Sequence, residues 1–206
     1  QERIAPLIVV FSVMFLSQFS FAENGRKIVL KSDEWTISIY PQSLQVMAEP
    51  QGKDGIQISA SQENLSSVEN LKESGSEVSW ELPEGKLAIS FQLNEDTLSV
   101  NFLSKVAGSF TWPIIHDEQA IRGYILPLFE GSYVPSDDAK WLTFLVEQSP
   151  MNRKPLASVS LANTTEGLSM PFWGLDCGDY TLTNILTNQF NNELAFEDRG
   201  GRLITR

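Results

Sequence analysis

The chain has 206 residues, of which 26 are Asp or Glu and 15 Lys or Arg, giving a formal net charge of −11. With no Lys/Arg cluster, that balance offers little counterion-release gain on a polyanion and argues against nucleic acid as a partner; the acidic surface serves solubility instead. One cysteine (Cys177) and one histidine (His116) exclude a disulfide framework and a Cys/His zinc centre within the chain, and no cofactor is expected.

Ile4 to Leu16 is an apolar run preceded by Arg3 and followed by Ser20-Phe21-Ala22, which places small residues at the −3 and −1 positions before Glu23. Basic start, short hydrophobic core and small-x-small exit predict a secretory signal peptide over residues 1–22. The run is shorter than the roughly 20 apolar residues of a membrane anchor. The mature part, 23–206, is therefore expected as one exported domain, secreted or periplasmic, with no membrane contact after cleavage. The whole chain begins with Gln1 rather than Met, and its last residues read as a hairpin, Asn192–Asp198 and Arg202–Arg206 around Arg199-Gly200-Gly201, cut off after a few residues. A longer parent protein is expected.

Alternation with period two dominates the mature chain. Lys27–Lys31, Trp35–Tyr40 and Leu44–Ala48 are short β-branched and aromatic runs separated by Ser32-Asp33 and Pro41-Gln42, and Gly55–Ala60 continues the pattern. Lys86–Gln92 and Thr97–Phe102 predict a hairpin across Leu93–Asp96, with Leu87, Ile89 and Phe91 on one face. Ser61–Ser76, polar and Ser/Glu/Asn-rich, reads as a long connection with a helical turn around Leu65–Lys72. Gly108–Ile115 and Ile121–Leu126 resume the strand pattern. In Ser136–Glu147, Ser136 can cap, Asp137 and Asp138 favour a first turn, and Trp141, Phe144 and Leu145 share a stripe, so a single short helix is predicted there. Leu168–Trp173 and Tyr180–Thr187 complete roughly a dozen strands. Many short strands with turns at fairly regular spacing predict a sandwich or barrel, and the fold class expected is all-β, an antiparallel supersandwich with one short helix.

The candidate chemistry consists of carboxylates beside aromatics, the pattern that acid–base or sugar-contacting sites require. Glu130 lies in the loop-like segment Pro127–Pro135, while Asp176 and Asp179 flank Cys177-Gly178 just after Phe172-Trp173-Gly174. Helix capping is the better explanation of Asp137 and Asp138, and turn chemistry the better explanation of Asp176 and Asp179. Trp173 and Trp141 could stack on a sugar ring or pack in the core. His116 has no partner pattern for catalysis, and Cys177 has no neighbouring base in sequence to activate it. No catalytic residue is assigned.

The block Gly123–Trp141, with Leu168–Gly174 and Asn184–Glu193, resembles the N-terminal β-supersandwich of large bacterial glycoside hydrolases of the endo-α-N-acetylgalactosaminidase-like group. The resemblance covers Gly123 to Glu193. It implies a galactose mutarotase-like sandwich preceding a catalytic (β/α)₈ barrel that carries that family's catalytic carboxylates, so none is transferred to this chain. True mutarotases use two histidines and a glutamate, and the single His116 argues against epimerase chemistry.

Three roles stay open at this point. The first is a non-catalytic module supporting a downstream catalytic domain of the same chain, in a parent that is a glycoside hydrolase. The second is a free-standing carbohydrate-binding or surface-interaction module, and the third an enzyme in its own right. Carbohydrate contact or a domain interface is expected on the surface formed by Glu130, Tyr133, Trp141, Trp173 and Asp176.

Overall fold

Alternating side chains decide the architecture, because each strand buries one of its two faces. The structure, a computed structural model, describes residues 26–62, 67–108, 110–115, 121–128, 131–148, 152–153, 156–160, 172–178, 180–187 and 193–205. The segment expected as a signal peptide, Glu130, His116 and Asp179 lie outside them, as do Leu168 to Pro171.

Strands β1 (Ile28–Lys31), β2 (Trp35–Tyr40), β3 (Gln45–Pro50) and β4 (Ile56–Ser59) form an antiparallel meander. A second meander follows from β5 (Glu69–Ser74), β6 (Glu77–Glu81), β7 (Leu87–Asn94) and β8 (Thr97–Ser104). Ile28, Leu30, Ile37, Ile39, Val46 and Ile56 from the first sheet share one buried cluster with Val78, Trp80, Ile89, Phe91 and Leu93 from the second. Two sheets with a common apolar interior make a sandwich. Each fully buried aliphatic side chain here contributes about 1.5–3 kcal/mol over leaving it in water. Phe91 stacks on Trp80 with ring centroids 5.5 Å apart and meets Trp112 edge-on.

The second half repeats the principle with different connections. β9 (Gly123–Leu126), β10 (Ser132–Pro135), β13 (Phe172–Asp176) and β14 (Thr181–Ile185) form the third sheet in the order β10-β9-β13-β14. β11 (Asn152–Arg153), β12 (Leu156–Ser160), β15 (Glu193–Asp198) and β16 (Leu203–Thr205) form the fourth. Tyr124, Leu126, Val134, Trp173 and Leu175 meet Leu194, Phe196 and Leu203 in a second cluster, closed by Leu142 and Leu145 of the helix. All strand pairs are antiparallel. The all-β sandwich expected from the alternation is what the chain adopts.

The helix is a single α-turn, α1 (Ala139–Leu142), widening into a π-helical stretch at Thr143–Gln148. Its cap is Asp138 and not Ser136: the Asp138 carboxylate accepts the N–H groups of Lys140 at 2.8 Å and Trp141 at 3.2 Å. Ser136 is buried, and its hydroxyl donates to the Ile121 carbonyl instead.

Other expectations are corrected. The stretch expected as a connection with a helical turn contains the edge strand β5, paired with β6 through the Gly75-Ser76 turn, where Gly75 adopts φ +59°. β5 is polar because an edge strand need bury little. Residues 110–115 pair in no ladder; Pro113 has no N–H to give, and Ile114 is held by the Ser59 hydroxyl at 3.1 Å and the Ala60 N–H at 2.6 Å. The segment read as a loop around Tyr133 contains β10. The predicted hairpin runs two residues further than expected, since Asn94 pairs with Thr97 around Glu95-Asp96. Sixteen strands are present among the described residues, against the dozen expected.

Candidate functional site

Strand β9 is central to the third sheet and carries a glycine between β10 and β13. Gly123 pairs with Pro135 on β10 and Asp176 on β13. Because Gly123 has no side chain, the Tyr133 phenol passes over its backbone from β10 towards β13. A Cβ at Gly123 would stand 2.7 Å from both Cζ and Oη of Tyr133. The Tyr133 hydroxyl donates to Asp176 Oδ2 at 2.8 Å, a bond between residues 43 positions apart in sequence.

Asp176 is also held from its own turn, where Oδ1 accepts the Gly178 N–H at 2.8 Å. Gly178 has φ +90°, a conformation that favours glycine, and the Arg122 guanidinium occupies the space a Cβ would need, with Cζ at 2.5 Å. The electrostatics follow from these contacts. The Gly178 N–H, then the Tyr133 hydroxyl, hold the Asp176 carboxyl below the usual carboxylate range, with Arg122 acting in the same sense. The same hydrogen bond to Asp176 raises the Tyr133 phenol above its ordinary value. At neutral pH the set is a carboxylate, a neutral phenol and a guanidinium, able to accept and donate hydrogen bonds at a surface.

The surrounding face is partly apolar. Gly174 lies between Ile125 and Thr183 in one cross-strand row, and Phe172 pairs with Ile185. Tyr133 is 50 % exposed, Ile125 38 % and Ile185 68 %. An aromatic, two aliphatics, an arginine and threonines on one open sheet face form the mixed composition of a contact surface.

The five residues expected to form one surface therefore separate. Tyr133 and Asp176 come together. Trp173 points the other way, 5 % exposed in the core, its indole N–H without an acceptor among the described residues. Trp141 is half-buried and meets Phe144 edge-on at 5.7 Å, anchoring the helix to the second cluster. Glu130 lies outside the described residues. Sequence reasoning missed Gly123 and Arg122. The alternation itself held one usable signal: Trp173 and Asp176 are three apart on a strand and must face opposite sides. Among the described residues, no group of three or more His, Cys, Asp or Glu is placed to hold a metal, and no helix is long and apolar enough to cross a membrane. No protein-family model, no curated protein and no solved structure matches the chain.

Proposed function

We propose that this chain is a non-catalytic β-sandwich module of an exported glycoside hydrolase, which supports a catalytic domain elsewhere in the same polypeptide through the outer face of the third sheet. The observation that carries the reading is the Tyr133–Asp176 bond, braced over Gly123 beside exposed Ile125 and Ile185. Aromatic and aliphatic anchors with a fixed polar pair suit a domain–domain contact better than a solvated surface. The sandwich architecture and the resemblance of the Gly123–Glu193 block agree with it.

The test is made on the protein encoded by the whole reading frame. Ile125→Asp with Ile185→Asp should lower its thermal midpoint by several degrees if the face is covered, because burying a new charge is costly. On a solvated face the same changes stay within about 0.5 kcal/mol. A reading frame with no further domain, or an unchanged midpoint in the longer protein, removes the proposal.

A second reading, carbohydrate contact by the same face, draws on the half-exposed Tyr133 ring beside the Asp176 carboxylate. Tyr133→Ala would then abolish sugar binding while leaving the thermal midpoint of the longer protein nearly unchanged.

A further inference from the structure

The second sheet carries on its outer face a concavity of about 310 Å³, well away in the chain from the Tyr133–Asp176 pair. Its shape follows from side-chain size along the ladder. Where Ser79 of β6 faces Ser90 of β7 the two central strands present small residues outward, as does Ala88 of β7, while Glu81 of β6 stands beside Ala88. The two edge strands present longer ones, Asn70 and Lys72 on β5 and Asn101 and Leu103 on β8. Small side chains at Ser79, Ala88 and Ser90, with longer ones on both edge strands and at Glu81, make a local trough over the middle of β6 and β7. Three strand spacings separate its walls, about 14 Å between backbones.

One wall is shaped by an irregularity. The β5–β6 register shifts between Glu69 and Lys72, and Asn70 within that bulge adopts φ +54°. Bulges re-aim side chains; here the Asn70 amide donates to Glu81 Oε2 at 2.9 Å. On the opposite wall the Asn101 amide reaches the Ser90 hydroxyl at 3.4 Å. The trough thus holds two amides, two hydroxyls, one carboxylate and one ammonium within a single concave surface.

We infer that this trough is a binding site for a neutral saccharide of one or two rings. Each sugar hydroxyl both donates and accepts, and the side chains here supply both kinds of partner: amide N–H, serine hydroxyl and Lys72 as donors, Glu81 and the amide oxygens as acceptors. Lys72 and Glu81 balance in charge, and the chain's net charge of −11 opposes an anionic ligand. Ala88 and Leu103, the latter 66 % exposed, offer apolar contact to the C–H edge of a ring. An extended peptide is the poorer match. Its usual recognition adds a strand to a sheet edge, and the floor strands β6 and β7 spend their backbone groups on neighbours. This inference concerns a different sheet from the proposed domain contact and does not depend on it.

The experiment is a ¹⁵N-correlated NMR titration of the full chain with glucose, galactose, N-acetylglucosamine, N-acetylgalactosamine, cellobiose and lactose. Each is taken to about 10 mM, the range in which shallow sites with millimolar Kd register. At least one sugar should shift the resonances of Ser79, Ser90 and Asn101 while those of Ile125 and Tyr133 stay still. Ser90→Leu, which fills the floor, and Asn101→Ala, which removes a wall amide at an exposed position, should each weaken that sugar by about tenfold or more with spectral dispersion retained. Shifts confined to the third sheet, undiminished binding in both variants, stronger binding of glucose 6-phosphate than of glucose, or no response to any of the six sugars would each overturn the inference.

Discussion

Gly123 shows how one missing side chain organises a surface. Its Cβ would collide with the end of the Tyr133 ring at 2.7 Å and with the Val134 carbonyl oxygen at 2.8 Å, and the latter belongs to the paired strand and cannot rotate away. Gly123→Ala should therefore displace Tyr133, break its bond to Asp176 and cost about 1–3 kcal/mol, the usual penalty of overpacking; urea unfolding of the variant measures it. The pair also makes a pH statement. Asp176 is depressed in the folded protein, so the stability it adds is present above the unfolded carboxylate value and is lost as pH falls through the folded one. Tyr133 is raised, so its contribution is complete below the unfolded phenol value and is lost as pH rises through the folded one. Both groups face solvent, which keeps the effect small. Asp176→Asn should bring the Tyr133 titration back towards an ordinary phenol, read as the tyrosinate absorbance lost on adding Tyr133→Phe.

At the scale of elements, the capping that the sequence offers to both Ser136 and Asp138 falls to Asp138 alone. Asp138→Ala removes the acceptor for two N–H groups of a very short helix and should cost about 0.5–2 kcal/mol. Ser136 acts elsewhere: its hydroxyl donates to Ile121 O and accepts from the Arg202 guanidinium at 2.7 Å, while Arg202 also donates to Ile121 O. Its carbonyl accepts the Leu203 N–H at 2.6 Å, and the Tyr124 hydroxyl donates to Leu203 O at 2.7 Å. These bonds tie β16 to the start of the third sheet, so Ser136→Ala should destabilise that junction while leaving the helix intact. Hydrogen exchange separates the two outcomes: amides of Lys140 and Trp141 lose protection in Asp138→Ala, and that of Leu203 in Ser136→Ala. The π-helical continuation at Thr143–Gln148 accompanies a stripe in which Phe144 and Leu145 both reach the apolar cluster.

For the whole molecule, the two clusters are not independent. Cys177 and Leu182 pack against both, and Tyr180 meets Trp35 edge-on with ring centroids 5.9 Å apart, joining the β13–β14 hairpin to β2. A shared seam of this kind couples the unfolding of the parts it joins. Fluorescence, which reports on Trp80 and Trp112 in the first cluster and Trp173 in the second, should follow the same denaturant midpoint as circular dichroism. Leu182→Ala with Tyr180→Ala should split that single transition into two. Coincident curves in the double variant would mean that coupling runs through other contacts.

The alternation of Ile28, Leu30, Ile37, Ile39 and of Ile89, Phe91, Leu93 was enough by itself to determine an antiparallel all-β fold, because period two is legible wherever one face of a strand is buried. The same rule explains what stayed hidden. β5 is an edge strand with no buried position to mark it, and β6 shows only Val78 and Trp80. The residues of the candidate surface were half visible: Tyr133 and Asp176 stand out as types, and the phase of β13 already separates Trp173 from Asp176. Their meeting was not legible, since it requires β10 and β13 to flank the same strand and that strand to carry Gly123. Local pattern records which side of a strand is apolar. Only the tertiary structure decides which strands become neighbours, and so which small residues make a trough and which distant side chains touch, because cross-strand pairing depends on packing between segments far apart in the chain.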